Sequence, residues 1–97
     1  MYATVERRRA NAARTQETGE LAARTFFPQL QAAPGFVSFM VIVGDDGINT
    51  AIATWASREQ EAAFRQQHQA WLATLEAHGH QLDSDNGGDV LFQLAPQ

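Results

Sequence analysis

The amino-acid sequence predicts an α+β fold with the element order β-α-β-β-α-β. Three observations carry this prediction: an apolar strand from Phe36 to Val43, a Gly-Asp-Asp-Gly turn at 44–47, and a helix-like segment on each side of the strand pair that this turn joins. The chain has 97 residues, which suits one domain of ordinary size and not two. We therefore expect a single domain that spans residues 1–97.

The first strand and the first helix occupy the N-terminal third of the chain. The segment from Tyr2 to about Arg8 contains residues with strand propensity and ends in charge. A helix then runs to about Ala33, because apolar side chains recur there at helical spacing. Either Thr15 or Thr18 can cap its start, since a threonine hydroxyl accepts a hydrogen bond from the first helical turn.

Two prolines shape this first helix. Pro28 lies inside the apolar stripe and has no N–H to donate, so we expect a kink near Arg24, four residues earlier. Pro34 ends the helix, because the residue before a proline disfavours the helical backbone conformation.

The strand from Phe36 to Val43 is apolar at nearly every position. Successive side chains point to opposite faces of a sheet, which predicts one face with Phe36, Met40 and Ile42 and another with Val37, Phe39, Val41 and Val43. Both faces therefore need a cover. The helices of the chain can cover one face, and a second copy of the chain is the simplest cover for the other.

The turn at 44–47 leads into a third strand from Ile48 to Trp55, because Asp-Gly tolerates the positive φ that a tight hairpin requires. One face of this strand carries small residues and one large aromatic residue: Asn49, Ala51, Ala53 and Trp55. Such a face suits the close approach of either a ligand or another sheet. The sequence leaves open whether Trp55 points toward the helices or toward a partner.

The second helix has clear signals at both ends. Ser57 and Gln60 have the spacing of a capping box, in which each residue satisfies a backbone N–H of the first turn. The helix is predicted to continue to about His78, where Gly79 is a natural stop.

The end of the chain supplies the last predicted strand. Residues Gln81 to Asp89 are polar and rich in glycine, which favours a loop, and Val90 to Ala95 then forms the strand. The complete order is that of the ferredoxin-like fold, an antiparallel sheet with two helices on one face. The other face of such a sheet is uncovered in a monomer.

Composition and charge exclude several classes of function. The formal net charge of −4 disfavours nucleic-acid binding, and the only basic cluster, residues 7–9, is expected to be a solvated strand end. No apolar run approaches the roughly 20 residues that cross a membrane. The chain contains no cysteine, which excludes disulfides and thiolate metal sites. We interpret the protein as cytoplasmic, without a membrane or nucleic-acid partner.

Several different short motifs occur along the chain in a definite order. They are Pro28 with Leu30, Pro34-Gly35-Phe36, Asp45-Asp46-Gly47, Trp55-Ala56-Ser57-Arg58 leading into Ala62-Ala63-Phe64, Ala70-Trp71-Leu72, and Gly88-Asp89-Val90-Leu91. Together they resemble the dimeric α/β-barrel family that includes the antibiotic-biosynthesis monooxygenases. The resemblance spans nearly the whole chain. It implies a homodimer in which two sheets pack face to face, and a ligand cavity between helices and sheet in each subunit.

The resemblance also bounds the activity. Some relatives oxidise polycyclic phenols with molecular oxygen and no cofactor, whereas the haem-degrading branch uses an Asn on its first strand and a Trp and a His on its second helix. In this chain residues 2–6 contain no Asn, Phe64 stands where that Trp would be, and Thr74 stands where that His would be. The resemblance thus implies a cofactor-independent monooxygenase acting on an aromatic or polyketide-like molecule. The alternative is a non-catalytic dimer that binds a small hydrophobic molecule or acts as a scaffold.

His68 is the candidate catalytic residue. It lies on the apolar face of the second helix, between Phe64 and Trp71. A histidine in this position can exchange protons with a ligand near neutral pH, or it can simply bind a backbone carbonyl. Phe64, Trp71 and Trp55 are the candidate ligand-binding residues, because aromatic side chains stack on aromatic ligands; the alternative role for each is ordinary core packing.

Two segments hint at metal binding, and we predict no metal for either. His78 and His80 have no obvious third ligand, whereas catalytic zinc sites need three. A histidine at a helix end more commonly binds the last carbonyls of the helix. The segment from Asp83 to Gly87 alternates acidic residues as calcium loops do, but it lacks the glutamate that closes such loops, so a solvated turn is expected there.

Overall fold

The computed structural model describes residues 1–97 and contains one four-stranded sheet with the helices on one of its faces. The strands are β1 (Tyr2–Arg9), β2 (Phe36–Val43), β3 (Ile48–Trp55) and β4 (Gln81–Asp89). The helices are α1 (Thr15–Leu21), α2 (Phe27–Gln31), α3 (Arg58–Gln67) and α4 (Gln69–Ala77). A short 3-10 turn (Ala12–Arg14) precedes α1, and a π-helical turn (Ala22–Phe26) joins α1 to α2.

The sheet has the order β2-β3-β1-β4, and every neighbouring pair is antiparallel. This arrangement confirms the predicted α+β, ferredoxin-like fold with its helices on one face. None of the helices combines the length and the apolar character that crossing a lipid bilayer requires.

The strand register decides which side chains face the helices. Tyr2 pairs with Trp55, and the pairing continues without interruption to Arg9 and Ile48. Side chains of one parity therefore share the helix-covered face, and Trp55, which is 2% exposed, lies on it. The Trp55 side chain therefore points toward the helices and not toward a partner, a choice that the sequence left open.

A bulge at the start of β2 alters the predicted alternation. Phe36 pairs with Trp55 and Ser38 pairs with Thr54, so one extra residue is accommodated between them. Phe36 consequently lies beside Trp55, with ring centroids 5.6 Å apart, and the prediction that it shares a face with Met40 was wrong. From Phe39 onward the predicted alternation holds, because Phe39 pairs with Ala53 on the helix side.

The last strand lies earlier than predicted. Gln81–Asp89 pairs with β1 along its whole length, whereas residues 90–97 have no regular secondary structure. The expected loop at 81–89 and the expected strand from Val90 to Ala95 were both wrong. β4 is an edge strand that backbone pairing holds in place, so it tolerates exposed polar side chains and glycine despite their low strand propensity.

The first helix is interrupted, as Pro28 predicted, but by a π-helical turn. Pro28 is at the start of α2, and the N–H of Phe27 bonds to the carbonyl of Ala22, five residues earlier. The predicted threonine caps are absent. Asn11 caps the preceding 3-10 turn through its side-chain oxygen, and α1 has no side-chain cap.

The second helical region begins and ends as predicted but is broken in the middle. The hydroxyl of Ser57 accepts the N–H of Gln60 at 3.2 Å, and Gly79 adopts the positive φ of 82° that terminates a helix. The break falls at His68, whose backbone angles of −121° and 32° are not helical. The expectation of one continuous helix to His78 was therefore wrong, and the break separates α3 from α4.

Candidate active site

A cavity of about 370 Å³ lies between the sheet and the helices. Its walls include alternate side chains of β1, β2 and β3 and residues from all four helices. Four of the lining residues remain exposed, namely Thr15 and Gly19 of α1 and Val41 and Val43 of β2. The cavity therefore opens between α1 and β2. Small residues on β3 and α1, such as Ala51, Ala53 and Gly19, leave the space that larger side chains would fill.

One end of the cavity is aromatic. The four residues predicted from the sequence, Trp55, Phe64, His68 and Trp71, all line it. Trp55 and Phe64 have ring centroids 5.3 Å apart, and Trp71 stacks on the ring of Phe26 at 4.9 Å with an interplanar angle of 9°. Whether these side chains bind a ligand stays a prediction, but the fold brings them to one place.

Phe26 and Phe27 belong to the same aromatic wall and were not predicted from the sequence. Both line the cavity although they are adjacent in the chain. Phe39 of β2 packs against both of them, with centroid distances of 6.3 and 5.7 Å. The signal that would have found them is Pro28, which directly follows Phe26 and Phe27 and marks the place where regular helical spacing fails.

His68 is held by its own helix. Its Nδ1 lies 2.8 Å from the carbonyl oxygen of Phe64, and its ring stacks on the Phe64 ring at 3.9 Å. A carbonyl only accepts hydrogen bonds, so Nδ1 carries the proton, and Nε2 of the neutral ring is left as an acceptor. The structure shows that His68 binds a backbone carbonyl and also lines the cavity, and proton exchange with a ligand stays a prediction.

The other end of the cavity is polar and was missed by sequence reasoning. Arg8 of β1 is buried, and its guanidinium binds Glu6 at 2.8 Å, Glu76 at 2.7 Å and the carbonyl of His80 at 3.0 Å. Burial opposes the charged form, but hydrogen bonds to Glu6 and Glu76 prevail and raise the pKa of Arg8. The expectation that residues 7–9 form only a solvated strand end was wrong for Arg8. The available signal was the period-two series of Thr4, Glu6 and Arg8 on the helix-facing parity of β1.

A second ion-pair chain joins α3 to β4 along the same wall. Arg65 binds Glu61 at 3.0 Å and Asp85 at 2.7 Å. Glu61 is 8% exposed, and both Glu61 and Arg65 line the cavity. Asp85 lies in β4 opposite Glu6, so the predicted solvated turn at 83–87 is instead part of the sheet.

Two histidines and a threonine form a buried cluster next to Arg8. The hydroxyl of Thr18 lies 2.6 Å from Nδ1 of His78, 2.7 Å from Nε2 of His80 and 2.8 Å from the carbonyl of Arg14. The backbone N–H of Asn11 donates to Nδ1 of His80 at 3.0 Å. Both histidines thus bind Thr18 through their rings, where a contact with the carbonyls at the helix end was expected.

The partners in this cluster determine where the protons lie. Nδ1 of His80 accepts from Asn11, so the proton of neutral His80 is on Nε2 and is donated to Thr18. Thr18 gives its single proton to the Arg14 carbonyl, and its second lone pair accepts Nδ1–H of His78. Burial, together with the charges of His78, Arg8 and Arg14, lowers the pKa of His80, which keeps it neutral at pH 7.

The overall architecture is that of the antibiotic-biosynthesis monooxygenase fold. A candidate antibiotic biosynthesis monooxygenase from Deinococcus radiodurans superimposes with a TM-score of 0.79 at 10% identity, covering 100% of this chain and 99% of that chain. A monooxygenase from the ActVA-Orf6 gene of Streptomyces coelicolor, solved with nanaomycin D, has a TM-score of 0.72 at 17% identity, covering 99% and 92%. SnoaB, a cofactor-independent oxygenase from Streptomyces nogalater solved as a variant, has a TM-score of 0.68 at 21% identity, covering 99% and 97%.

Sequence comparison adds nothing to this likeness. No protein-family sequence model matches the chain, and no curated protein sequence matches it either. The structural likeness confirms the resemblance at the level of the fold.

Proposed function

We propose that the protein is a cofactor-independent monooxygenase that oxidises an aromatic small molecule in the cavity, with His68 as the proton acceptor. The observation that carries this proposal is the placement of His68. Its Nδ1–H is engaged by the Phe64 carbonyl at 2.8 Å, which leaves Nε2 as an acceptor in an aromatic wall. A group in this position suits removal of a phenolic proton near neutral pH.

The aromatic wall supplies the binding surface for such a substrate. Trp55, Phe64 and Trp71 line one end of the cavity, and stacked or edge-on contacts with aromatic rings add to the gain from burying apolar surface. A cavity of about 370 Å³ is in the range that holds small organic ligands.

The reaction balances without an external reductant. His68 takes the phenolic proton, and the electron-rich ring carbon opposite the phenolate oxygen reacts with molecular oxygen. That carbon loses its hydrogen and gains one oxygen atom, which gives a quinone, and the second oxygen atom leaves as water. Oxidation of the phenol to the quinone releases four electrons, and the reduction of O₂ to one carbonyl oxygen and one water consumes four, so O₂ is the only co-reactant.

The fold neighbours support this choice of reaction class. The Streptomyces coelicolor protein is a monooxygenase with nanaomycin D bound, and SnoaB is a cofactor-independent oxygenase. These activities belong to those proteins, and the present proposal extends them to this chain on the strength of the cavity and His68.

The proposal is tested with a panel of fused-ring phenols such as anthrone and 1-naphthol. We expect oxygen uptake on an oxygen electrode together with quinone absorbance for the wild-type protein. His68→Leu should remain folded by circular dichroism and lose at least about a hundredfold in rate, as expected for loss of a general base. Gln66→Leu on the exposed side of α3 is the matched control and should retain activity.

Two results would reject catalysis by His68. If His68→Leu oxidised the same phenols at the wild-type rate, His68 would have no catalytic part. If the phenols bound tightly but no preparation consumed oxygen, the protein would be the non-catalytic binding module that the sequence also allowed.

We further propose that the protein is a homodimer that pairs through the uncovered sheet face. On that face Met40 and Ile42 are 55% and 50% exposed, and Val5 and Met40 flank Ile52 in one cross-strand row. Only nine of 97 residues are buried, so a second copy would supply core that the monomer lacks. The C-terminal segment adds apolar surface, because Leu91, Phe92 and Leu94 are all more than 80% exposed.

A further inference from the structure

At the polar end of the cavity, only one of the two carboxylate oxygens of Glu6 is hydrogen-bonded within the protein. Oε1 of Glu6 binds Nε of Arg8 at 2.8 Å, and Oε2 has no hydrogen-bond partner in the protein. No buried side-chain nitrogen or oxygen lacks a partner, so Oε2 lies on accessible surface. Glu6 lines the cavity, and its cross-strand neighbour on β3 is the small residue Ala51. The free oxygen is therefore reachable from inside the cavity.

Both arginines that line the cavity are already paired with carboxylates. Arg8 is bound by Glu6 and Glu76, and Arg65 is bound by Glu61 and Asp85. Glu6 and Glu61 line the cavity together with the two arginines, whereas Glu76 and Asp85 lie outside the lining, so each lining arginine has an acidic partner on both sides. An anion that entered the cavity would find no lining arginine without an acidic partner, and beside Glu6 it would meet a like charge in surroundings that screen charge less than water does.

The distance between the aromatic end and the polar end of the cavity sets the length of a ligand that can contact both. Glu6 is opposite Ala51, four residues along β3 from Trp55, which corresponds to about 13 Å at the rise of an extended strand. A ligand held at the aromatic end by Trp55 and Trp71 reaches Glu6 if it is an elongated, fused-ring molecule. Its distal group then faces a hydrogen-bond acceptor.

We infer that the cavity selects neutral or cationic aromatic molecules with a hydroxyl or ammonium donor, that Glu6 accepts this donor, and that aromatic carboxylates and sulfonates are rejected. This inference rests on the cavity being the substrate site of the proposed function. It goes further than that function, because it states the charge of the ligand and names Glu6 as the residue that discriminates between ligands of different charge.

The test uses three naphthalene derivatives of similar size and different charge. They are 2-naphthol, the cation of 2-naphthylmethylamine, and 2-naphthoate, each titrated into the full-length protein at pH 7.5 by isothermal titration calorimetry. We expect naphthol and the cation to bind at least about tenfold more tightly than naphthoate, the factor given by one hydrogen bond to a charged group. Binding of naphthoate as tight as that of naphthol to the wild-type protein would overturn the inference without the need for any variant.

Glu6→Gln tests the assignment of the residue. The substitution should reduce the affinity ratio between the cation and naphthoate to less than about threefold, because the cation binds more weakly and naphthoate binds more tightly. Glu59→Gln, which removes an exposed carboxylate from the first turn of α3 outside the cavity, is the matched control and should leave the preference unchanged. A Glu6→Gln protein that stays folded in a thermal melt and keeps the wild-type preference would show that Glu6 does not read the ligand.

The two proposals fail in different ways. If all three compounds bind equally and Glu6→Gln changes nothing, the inference about charge is wrong and the cavity remains an aromatic-binding site. If none of the compounds binds, the cavity is not a site for aromatic molecules, and the proposed function fails together with the inference.

Discussion

Replacing Thr18 by valine tests whether the buried histidine cluster holds the fold together. The substitution keeps the shape of the side chain and removes the hydroxyl that lies 2.6 Å from His78 and 2.7 Å from His80. Both imidazoles then have a buried N–H with no acceptor, because His78 and His80 are only 9% and 5% exposed. An unsatisfied buried group costs roughly 1–3 kcal/mol, so two such groups should lower the free energy of unfolding by about 2–6 kcal/mol.

The loss is measurable by urea denaturation and by thermal melting. For a domain of this size 1 kcal/mol corresponds to about 4–8 °C in Tm, and the melting temperature should therefore fall by at least about 8 °C. Thr74→Val is the matched control, because the Thr74 hydroxyl also lies within a helix but bonds only the carbonyl of Ala70, at 3.0 Å. It should change the unfolding free energy by less than about 0.5 kcal/mol, as surface substitutions usually do. A Thr18→Val protein as stable as the control would refute the proton arrangement assigned to the cluster.

Two further predictions concern pH and assembly. The pKa of His80 is lowered in the folded protein, so the unfolded chain binds a proton at this residue more readily than the folded chain does. The stability that neutral His80 contributes is therefore present above the unfolded pKa of about 6.5. It is lost as the pH falls from there toward the lower pKa of the folded protein. Urea midpoints between pH 5 and 8 should show this slope, and His80→Gln should flatten it; equal slopes in both proteins would contradict it. Ile42→Asp on the uncovered sheet face should convert a dimer into a monomer in analytical ultracentrifugation, whereas Val43→Asp, on the opposite face of the same strand and 72% exposed, should not. A wild-type protein that sediments as a monomer at micromolar concentration would rule out the dimer.

The elements predicted well from the sequence are those fixed by local chemistry. The strand from Phe36 to Val43, the turn at 44–47 and the cap at Ser57 each follow from a few neighbouring residues, and each is present in the structure. β4 was misplaced because its strand character comes from pairing with β1 and not from its own side chains.

The two ends of the cavity show the same division. Phe64, His68 and Trp71 are close together in the chain, so helical spacing predicted one face for them, and all three line the cavity despite the break at His68. The pair of Arg8 and Glu76 is separated by 68 positions, and the link from Thr18 to His80 by 62. Such contacts depend on the completed sheet, which is why the polar end escaped prediction. The bulge at the start of β2 was not predicted either, because it is visible only in the pairing register between β2 and β3.

The π-helical turn at Ala22–Phe26 sets the direction in which Phe26 and the residues after it point relative to α1. A π turn contains one more residue than an α turn, and each residue of a helix rotates the next side chain by about 100°. Loss of one residue before Phe26 would restore ordinary helical spacing and turn Phe26 and Phe27 by about 100° relative to α1. The sheet register and the helices after β3 would be untouched. A single-codon deletion or insertion at this turn would thus reshape the cavity of this protein and leave the sheet around it unchanged.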